Sequence, residues 1–403
     1  MGDAKGNDLK KILFVDTGHE YGGGTKSFLY LLRGLVAQQK YELCAFFETD
    51  YETGGRNISQ IIEEAGAKFI KFEPKKQPSK LKKELLRALG GQILAKYLYK
   101  KDYDYALCLL RQVRPDVVHL NNHFSTNLAY IAAANALNIA VVQHLRKNSA
   151  IEPFKLEILK RLKFTPVCVS NATYEFYAAQ IKMPKNVVYN PVKAPILKPE
   201  KPEASENLSS PQANLKDSGD DKSAALKAKF DAEKINIVMP ANFLTLKGHE
   251  LVFDALAGLK RSDVKVYFAG GGELKAGAKA KFDALIRSGK AEYLGFVSKM
   301  DEIYAACDYV LGFSSDEGLP RVVIEALGCG LGVVYSDIAV IREIYEISSK
   351  KQDFFIVQRS SDALLACFEG LRKPASKSPD YAVIKAFSIE NYLRGIDRIY
   401  SEL

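Results

Sequence analysis

Residues Tyr309–Gly330 read YVLGFSSDEGLPRVVIEALGCG and carry the clearest indication of the fold. It begins with a short apolar run, continues through a loop that contains serine, glycine and two acidic residues, and ends in a segment that predicts a helix. A buried strand, a loop and a helix form the repeating unit of a parallel sheet that is covered by helices. The stretch therefore predicts a protein of the α/β class.

The same unit recurs on both sides of this stretch, in two series. Two series of strands and helices predict two Rossmann-like doubly wound parallel-sheet domains facing across a cleft, with ligands beyond the carboxyl ends of the strands. The predicted strands of the first series are 11–15, 43–47, 117–120, 140–143 and 167–170, and its predicted helices include 25–37, 57–65 and 127–137. The predicted strands of the second series are 235–239, 264–269, 292–294, 309–311 and 332–335.

The length agrees with two domains, because 403 residues are many for a single core. Residues 198–229 are rich in Pro, Ser, Asp and Lys and contain no aromatic residue, so they bury too little apolar surface to order themselves. We expect four parts, of which the second is partly disordered and the last is a helix that packs back toward the first domain. These are a first domain over 1–192, a linker or insertion over 193–232, a second domain over 233–386 and a C-terminal helix over 387–403.

Composition narrows the class of protein further. No apolar run reaches the roughly 18 residues that a membrane-spanning helix needs, and the N-terminal residues lack the apolar core of a signal peptide. Six cysteines are scattered without a CxxC pair, a pattern typical of reduced thiols and of neither a disulfide frame nor a zinc site. We therefore expect a cytoplasmic protein.

The net charge of +9 is concentrated in one segment. Between Lys75 and Lys101 the chain has nine Lys or Arg residues and one Glu, and leucines and isoleucine recur among them at helical spacing. A basic amphipathic helix is typical of a protein that rests peripherally on the cytoplasmic face of an anionic membrane, and we do not expect a nucleic-acid partner. The alternative is an ordinary helix with its lysines in water. The apolar residues are Leu81, Leu85, Leu86, Leu89, Ile93, Leu94 and Leu98.

A glycine-rich turn, TGHEYGGGTKS, follows the first predicted strand over residues 17–27. Its glycines let the backbone approach a ligand closely, and the helix that follows offers unpaired amides, so Gly23, Gly24 and Lys26 are candidate phosphate or sugar contacts. Thr25 stands between the last glycine and Lys26, which excludes the Walker pattern. A tight turn that only packs helix on sheet remains the alternative.

Two carboxylates stand out in the opening stretch. Glu317 lies in the loop, and Glu325 lies eight positions later in the helix, within the otherwise apolar run VVIEAL. A nearly buried carboxylate needs hydrogen-bond partners, and the hydroxyls of a ribose would provide them. An exposed helical glutamate is the alternative for Glu325.

These segments together resemble the family 4 glycosyltransferases of the GT-B fold, which are retaining enzymes, over nearly the whole chain. EGLPRVVIEALGCG is similar to the family's donor-site signature, and GGGTKSFLYLL is similar to its first loop. RPDVVHLNN and VVQHLR resemble two segments of the first domain. VSNATYEFY and VVYNPV resemble the segments that close it, and AGGGE and EYLGFVSK resemble two loops of the second domain.

The resemblance implies a role for each candidate residue. As catalytic residues it implies His144 beside the transferred sugar, Glu317 on the sugar's hydroxyls and Lys247 on the departing diphosphate. The implied donor-binding residues are Gly23, Gly24, Asn242, Gly271, Phe296, Gly318, Leu319, Pro320, Arg321 and Glu325. The expected acceptor-binding residues are Lys26, His123, Arg146 and Lys147.

The chain departs from the family's pattern at one position. Where the family has Gly-Arg-Leu-x-x-x-Lys-Gly, this chain has ANFLTLKG, which keeps Lys247 but has Asn242 in place of the arginine. One cation fewer weakens the stabilisation of the leaving group unless another cation, such as Arg321 or Lys26, replaces it.

The reaction expected from the resemblance is the transfer of a sugar, from a nucleotide donor that we expect to be UDP-linked, to a glycan or polyprenyl-diphosphate-linked acceptor. No cofactor and no metal are expected, since His119 and His123 lie at a strand end without a third ligand. Asp102-Tyr103-Asp104 matches a metal-binding DxD in letters only. The alternatives are a non-catalytic nucleotide-sugar-binding protein and another GT-B enzyme such as an epimerase.

Overall fold

The computed structural model describes residues 9–76, 78–193, 230–297, 299–374 and 376–403. The chain divides into two compact units, of which the first consists of Met1–Pro191 with Phe387–Leu403 and the second of Val192–Ala386. The predicted linker, 193–232, lies almost entirely outside the described residues, and its predicted disorder is therefore left as a prediction.

The first unit is built on a parallel sheet in the order β5-β2-β1-β6-β7-β8, beside a small antiparallel pair, β3 and β4. Its strands are β1 Lys10–Asp16, β2 Tyr41–Phe47, β3 Glu52–Thr53, β4 Arg56–Asn57, β5 Lys68–Phe69, β6 Val117–Leu120, β7 Ala140–Leu145 and β8 Thr165–Cys168. Its helices are Gly23–Gln38, Ile58–Glu64, Lys80–Ala88, Gly91–Val113, Phe124–Ala136, Pro153–Leu159, Asn171–Ala178 and Ile389–Ser401.

The strands of this sheet are buried on both faces. Leu13 and Val15 of β1 belong to one apolar core, whereas Ile12 and Phe14 belong to another on the opposite face. Helices cover both faces, which explains why the strands are continuous apolar runs rather than alternating ones.

The second unit repeats this design. Its sheet is parallel in the order β11-β10-β9-β12-β13-β14. Its strands are β9 Ile235–Pro240, β10 Val264–Ala269, β11 Ala291–Gly295, β12 Tyr309–Gly312, β13 Gly332–Ser336 and β14 Phe354–Val357. Its helices are His249–Gly258, Ala276–Arg287, Met300–Ala306, Arg321–Gly328, Ala339–Ile347, Ser361–Gly370 and Tyr381–Ala386, and short 3-10 turns lie at Thr245–Lys247 and Lys351–Asp353.

Numbered within its own sheet, each unit has the strand order 3-2-1-4-5-6 of a Rossmann-type fold, as predicted. The order reverses between β1 and β6 in the first sheet and between β9 and β12 in the second. Ligands of such sheets bind at this reversal, beyond the carboxyl ends of the strands.

The helix Ile389–Ser401 follows the second unit in sequence but packs in the first. Ser388 caps it by accepting a hydrogen bond from the Asn391 amide, and Tyr392, Ile396 and Tyr400 lie in the core on one face of the first sheet. Its burial is therefore that of a core element rather than a surface tail.

The sequence prediction missed some short elements. Strands β5 and β14 and the β3–β4 hairpin were not foreseen, and β5, β3 and β4 have only two residues each. Such short segments give no periodic signal.

None of the helices in the described part of the chain is long and apolar enough to cross a bilayer. The six cysteines are free, and Cys108 is exposed.

Candidate functional site

In the second unit, the reversal between β9 and β12 brings two predicted residues together. We call this place the second edge, formed by Lys247, Ser314, Glu317 and Tyr335. Lys247 Nζ lies 2.5 Å from Glu317 Oε1, and both side chains are partly accessible, at 25% and 17%. The two residues are far apart in the chain but meet because β9 and β12 are neighbours.

Glu317 is held by hydroxyl groups as well as by the lysine. Ser314 Oγ donates to Glu317 Oε1 at 2.8 Å, and Tyr335 Oη lies 3.4 Å from the same oxygen. Burial and the negative charge of Glu317 raise the pKa of Tyr335 far above its usual value, so this phenol stays protonated. The carboxylate is therefore preorganised, with its Oε1 partners fixed in place.

A glycine makes this arrangement possible. A Cβ at Gly312 would lie 2.0 Å from Cε2 of the Tyr335 ring. The Tyr335 ring thus packs closely against the backbone of β12, and its hydroxyl reaches Glu317 from there. A side chain at this position would displace the tyrosine.

Glu325 lies in the helix Arg321–Gly328 with its side chain 18% exposed. Tyr304 Oη donates to Glu325 Oε2 at 3.3 Å, and Arg321 Nε lies 4.0 Å from Glu325 Oε1. The carboxylate is therefore partly buried and partnered by protein groups, which the sequence did not reveal. Arg321, a candidate for the missing cation, faces Glu325.

Asn242 joins two loops of the second unit. Its Oδ1 accepts a hydrogen bond from the Gly271 amide at 2.9 Å, and the Phe243 amide donates to the Gly271 carbonyl at 2.8 Å. A Cβ at Gly270 would lie 2.2 Å from the Ala241 carbonyl oxygen, so only glycine allows the loops to approach so closely. Two donor-site candidates, Asn242 and Gly271, are thus in direct contact.

The remaining donor-site candidates of the second unit fall into two groups. Phe296, after β11, is 81% exposed, so most of its aromatic ring is accessible to solvent. Gly318, Leu319 and Pro320 are buried and precede the first turn of the helix Arg321–Gly328.

Arg359 is a cation that the sequence analysis did not single out. It follows β14, and its Nε donates to the Phe313 carbonyl at 3.2 Å. Its Nη2 lies 3.4 Å from the point where a Cβ of Gly248 would stand. Within the described residues it has no carboxylate partner. Its place after a strand end was the available signal, but β14 itself was not predicted.

In the first unit, a buried carboxylate lies where the strand order reverses, between β1 and β6. We call this place the first edge, formed by Asp16, Asn121, His144 and Arg146. Asp16 is 2% exposed and accepts hydrogen bonds from the Gly18 amide at 2.7 Å, from Asn122 Nδ2 at 2.9 Å and from Asn121 Nδ2 at 2.6 Å. This carboxylate, missed from sequence, ties the glycine-rich loop to the end of β6.

His144 lies at the end of β7 and is fully buried. Its Nδ1 lies 3.2 Å from Nε2 of His119, whose own Nδ1 lies 2.6 Å from Tyr400 Oη. Burial, with Arg146 nearby, lowers the pKa of His119 to about 3 and that of His144 well below its usual value. Both rings are therefore neutral at physiological pH.

The network also assigns the proton on His144. Arg146 Nη2 can only donate and lies 3.4 Å from His144 Nδ1, which makes that nitrogen an acceptor. His119 then carries its proton on Nε2, donates it to His144 Nδ1 and accepts from Tyr400 at its own Nδ1. His144 then carries its proton on Nε2, which is buried and has no hydrogen-bond partner among the described residues. A buried donor without a partner is costly, which is why such groups are rare outside functional sites.

The guanidinium of Arg146 is hydrogen-bonded to other groups of the protein. It donates to Asn121 Oδ1 and to Asn190 Oδ1, and its Nη2 lies 3.1 Å from Tyr392 Oη. A Cβ at Gly24 would lie 3.3 Å from Arg146 Cδ, so the arginine also contacts the first turn of the helix Gly23–Gln38. Arg146 fastens this edge together, and its predicted contact with the acceptor is left as a prediction.

The other acceptor candidates are more accessible. Lys26 and Lys147 are exposed, whereas His123 is half-buried and caps the helix Phe124–Ala136 by accepting from the Ser125 amide. Burial, then Lys147 and Lys155, lower the pKa of His123 to about 4. His123 is therefore a neutral acceptor of a backbone amide.

The described residues contain no group of three or more His, Cys, Asp or Glu side chains arranged to hold a metal. The DxD letters lie in the helix Gly91–Val113, where Asp102 pairs with Lys75 at 3.1 Å and Asp104 pairs with Lys100. Both carboxylates are thus engaged with lysines.

Residues 221–371 match the model of the family described as glycosyl transferases group 1. No curated protein matches the sequence.

Solved structures are similar to the chain over almost its full length. A glycosyltransferase from Rickettsia africae has a TM-score of 0.72 at 18% identity, with 98% of each chain covered. The Anabaena protein HepE in complex with UDP and glucose has a TM-score of 0.65 at 18% identity, covering 98% of this chain and 100% of its own. The lipopolysaccharide outer core galactosyltransferase WaaB has a TM-score of 0.69 at 14% identity, with coverage of 98% and 100%. These likenesses show that the chain has the GT-B fold.

Proposed function

We propose that this chain, which carries the group 1 glycosyl transferase domain over residues 221–371, is a retaining transferase that moves a hexosyl or N-acetylhexosaminyl group from UDP to a glycan or lipid-linked acceptor. The observation that carries the proposal is the second edge. There Lys247 and Glu317 meet at the reversal of the strand order, where ligands of this fold bind.

The chemistry follows from the charges at this edge. A departing nucleoside diphosphate develops negative charge, and the ammonium of Lys247 stabilises it as it forms. Glu317, fixed by Ser314 and Tyr335, accepts hydrogen bonds from hydroxyls of the donor sugar. Its ion pair with Lys247 is the resting arrangement, and in the proposed complex the lysine turns toward phosphate oxygens.

Retention of configuration is implied by the family resemblance. The acceptor hydroxyl approaches the anomeric carbon from the face that the diphosphate leaves, the bond from that carbon to the diphosphate oxygen breaks, and the new glycosidic bond forms. The acceptor's proton passes to a diphosphate oxygen, so the reaction needs no pair of protein carboxylates such as glycosidases use.

His144 is proposed to donate its Nε2 proton to a hydroxyl of the donor sugar. A neutral imidazole with an unpartnered Nε2–H supports this role, because a substrate hydroxyl would relieve the unpaired donor. Full burial of the ring requires that a neighbouring side chain move aside when the ligand binds.

Uridine as the base is supported by analogy with solved structures. HepE was crystallised with UDP and with UDP-glucose, and WaaB is named as a galactosyltransferase. In the proposed complex the exposed ring of Phe296 stacks on the base, and Glu325 binds the ribose hydroxyls. No metal and no cofactor take part in the proposed reaction.

The proposal is tested with a panel of UDP-, GDP- and ADP-linked sugars. We expect UDP-sugars to raise the melting temperature by mass action and to undergo slow hydrolysis that yields UDP. Selective stabilisation by GDP- or ADP-sugars would contradict the assignment of the base. Binding without hydrolysis or transfer to any acceptor would favour a nucleotide-sugar-binding protein, for which Asn242 in place of an arginine is the specific observation.

The acceptor is proposed to be membrane-borne because of a segment in the first unit. The helix Lys80–Ala88 has no buried residue. Its leucines at positions 81 and 85, together with Leu89, are 78%, 61% and 63% exposed and recur every four residues on one helical face. Lysines and an arginine flank this stripe. An exposed apolar stripe among cations complements an anionic bilayer in both apolar surface and charge.

Vesicle binding tests this part of the proposal. We expect the full chain to bind vesicles of phosphatidylglycerol and phosphatidylcholine but not vesicles of phosphatidylcholine alone. The double variant Leu81→Ser with Leu85→Ser should lose binding, whereas Ile286→Ser, on a 39% exposed residue of the second unit, should keep it. Equal binding by both variants would contradict the membrane surface.

A further inference from the structure

A cavity in the first unit has chemistry that the donor site does not use. It has a volume of about 280 Å³ and lies between the helix Gly23–Gln38 and the β3–β4 hairpin. Tyr21, Lys26, Tyr30, Arg33 and Arg56 supply its polar and aromatic lining.

The charge of this cavity is one-sided. Three cationic side chains and no acidic side chain line it among the residues that the structure describes. Arg56 is paired with Glu64 at 2.6 Å, but Lys26 and Arg33 are exposed and have no carboxylate partner in the described chain. Two unneutralised cations beside one cavity attract an anion, and an arginine binds phosphate with two parallel hydrogen bonds.

The spacing of the residues makes this a single surface. Lys26, Tyr30 and Arg33 follow one another by four and three positions in one helix, so their side chains share a face. The hairpin that faces them turns through Gly54 and Gly55, both with positive φ, and brings Arg56 to the same cavity.

The aromatic lining adds a second kind of contact. Tyr21 and Tyr30 each offer an apolar ring face with a polar hydroxyl at its rim, a combination suited to a pyranose that has both C–H and O–H groups. Sites for drug-sized ligands have volumes of roughly 300–1,000 Å³, so this smaller cavity fits one sugar ring rather than a longer chain.

We propose that this cavity binds a phosphate-bearing sugar of the acceptor, with Arg33 and Lys26 on the phosphate and the tyrosines on the ring. The proposal rests on the proposed function, since it names the acceptor class of the same enzyme. The shared ligand chemistry is a sugar phosphate, either free or as the headgroup of a lipid.

Calorimetric titration of the full chain with glucose 6-phosphate tests the proposal. We expect saturable binding that is tighter than that of inorganic phosphate or of glucose alone. Arg33→Gln should weaken it at least about tenfold and Arg33→Lys should weaken it less, because the charge remains while the two parallel hydrogen bonds are lost. Arg111→Gln, on an exposed arginine in the last turn of helix Gly91–Val113, is the matched control and should bind normally.

Competition by dioctanoyl phosphatidylinositol 4-phosphate would support a lipid headgroup, and failure to compete would support a soluble sugar phosphate. Absence of saturable binding, or unchanged affinity in Arg33→Gln with an unchanged melting temperature, would overturn the proposal. Titration of the same samples with UDP separates the two proposals. If the protein binds UDP but not the sugar phosphate, only the proposed ligand of the cavity is refuted. If it binds neither, the proposed transferase function is refuted as well.

Discussion

The two edges have the same strand order but different chemistry. At the second edge, Lys247 and Glu317 are partly exposed, and their ion pair faces solvent. At the first edge, Asp16 and His144 are buried, and Arg146 is held by internal partners. An accessible ion pair exchanges one partner for a ligand at modest cost, whereas a buried network does not. The topology therefore fixes where a ligand site lies. Solvent access decides which groups exchange a protein partner for a ligand directly, as Lys247 does in the proposed complex, and which need a side chain to move first, as His144 does.

The largest expected effect is at the second edge. Lys247→Met should reduce kcat/KM with a UDP-sugar by about 10²- to 10³-fold, because it removes the charge that stabilises the leaving group. Steady-state kinetics measures the loss. Lys279→Met removes an exposed lysine paired with Asp283 and should have no effect. Equal activity of the two variants would mean that Lys247 is not part of the site.

Substitution of Asp16 at the first edge should change stability rather than catalysis. Asp16→Ala leaves three hydrogen-bond donors without their acceptor, which should lower the free energy of unfolding by about 3 kcal/mol. Urea denaturation measures the change. A loss below about 1 kcal/mol would indicate that water replaces the carboxylate, and the first edge would then be more open than the structure shows.

The buried histidines predict a pH dependence of stability. Since the pKa of His119 is about 3 in the folded chain and ordinary when unfolded, only the unfolded chain binds a proton there just below pH 6.5. Stability is therefore full above pH 6.5 and falls as the pH drops toward 4.5, by about 2 kcal/mol for this residue. His119→Gln should show a shallower decline in chemical denaturation. An unchanged decline would contradict the buried neutral pair.

Two glycines, Gly312 and Gly277, test whether Tyr335 positions Glu317. Gly312→Ala should displace Tyr335 and cost about 1–3 kcal/mol of stability together with part of the activity. Gly277→Ala, in the helix Ala276–Arg287 with nothing within 4 Å of its new methyl group, should be neutral or stabilising. Thermal denaturation and kinetics of both variants decide the matter, and equal behaviour would show that Tyr335 does not hold Glu317.

The smallest expected effect concerns Arg359. Its guanidinium is near Gly248 and Phe313, so Arg359→Gln should weaken UDP binding about fivefold, and Arg359→Lys should weaken it less. Titration with UDP measures the change. If the added substitution Asn242→Arg restores the affinity that Arg359→Gln loses, an arginine at either position can supply the charge that binds UDP. A Gln variant with full affinity would leave Arg359 a structural role only.

Much of the fold was predictable because its strands are long, apolar and followed by helices. The predicted 117–120 and 264–269 are the observed β6 and β10. The pairing of Asn242 with Gly271 and of Lys247 with Glu317 depends on which strands are neighbours, and one sequence does not contain that information.

The first edge shows what escapes sequence patterns. Asp16 ends an apolar strand, but nothing nearby announces that Asn121 and Asn122, more than a hundred residues later, would hydrogen-bond to it. Likewise Arg146 was assigned to an acceptor because cations attract phosphate. Its partners Asn190 and Tyr392 come from distant segments and are recognised only in three dimensions.

The helix Ile389–Ser401 has a consequence for the synthesis of the chain. A ribosome finishes the second unit before it makes Tyr392 and Tyr400, which complete the core of the first. Until then His119 lacks the Tyr400 hydroxyl that donates to its Nδ1, and the core on that face of the first sheet is incomplete. The core of the first unit is therefore completed only after the whole of the second unit has been synthesised, so the two units do not finish folding in the order in which they begin.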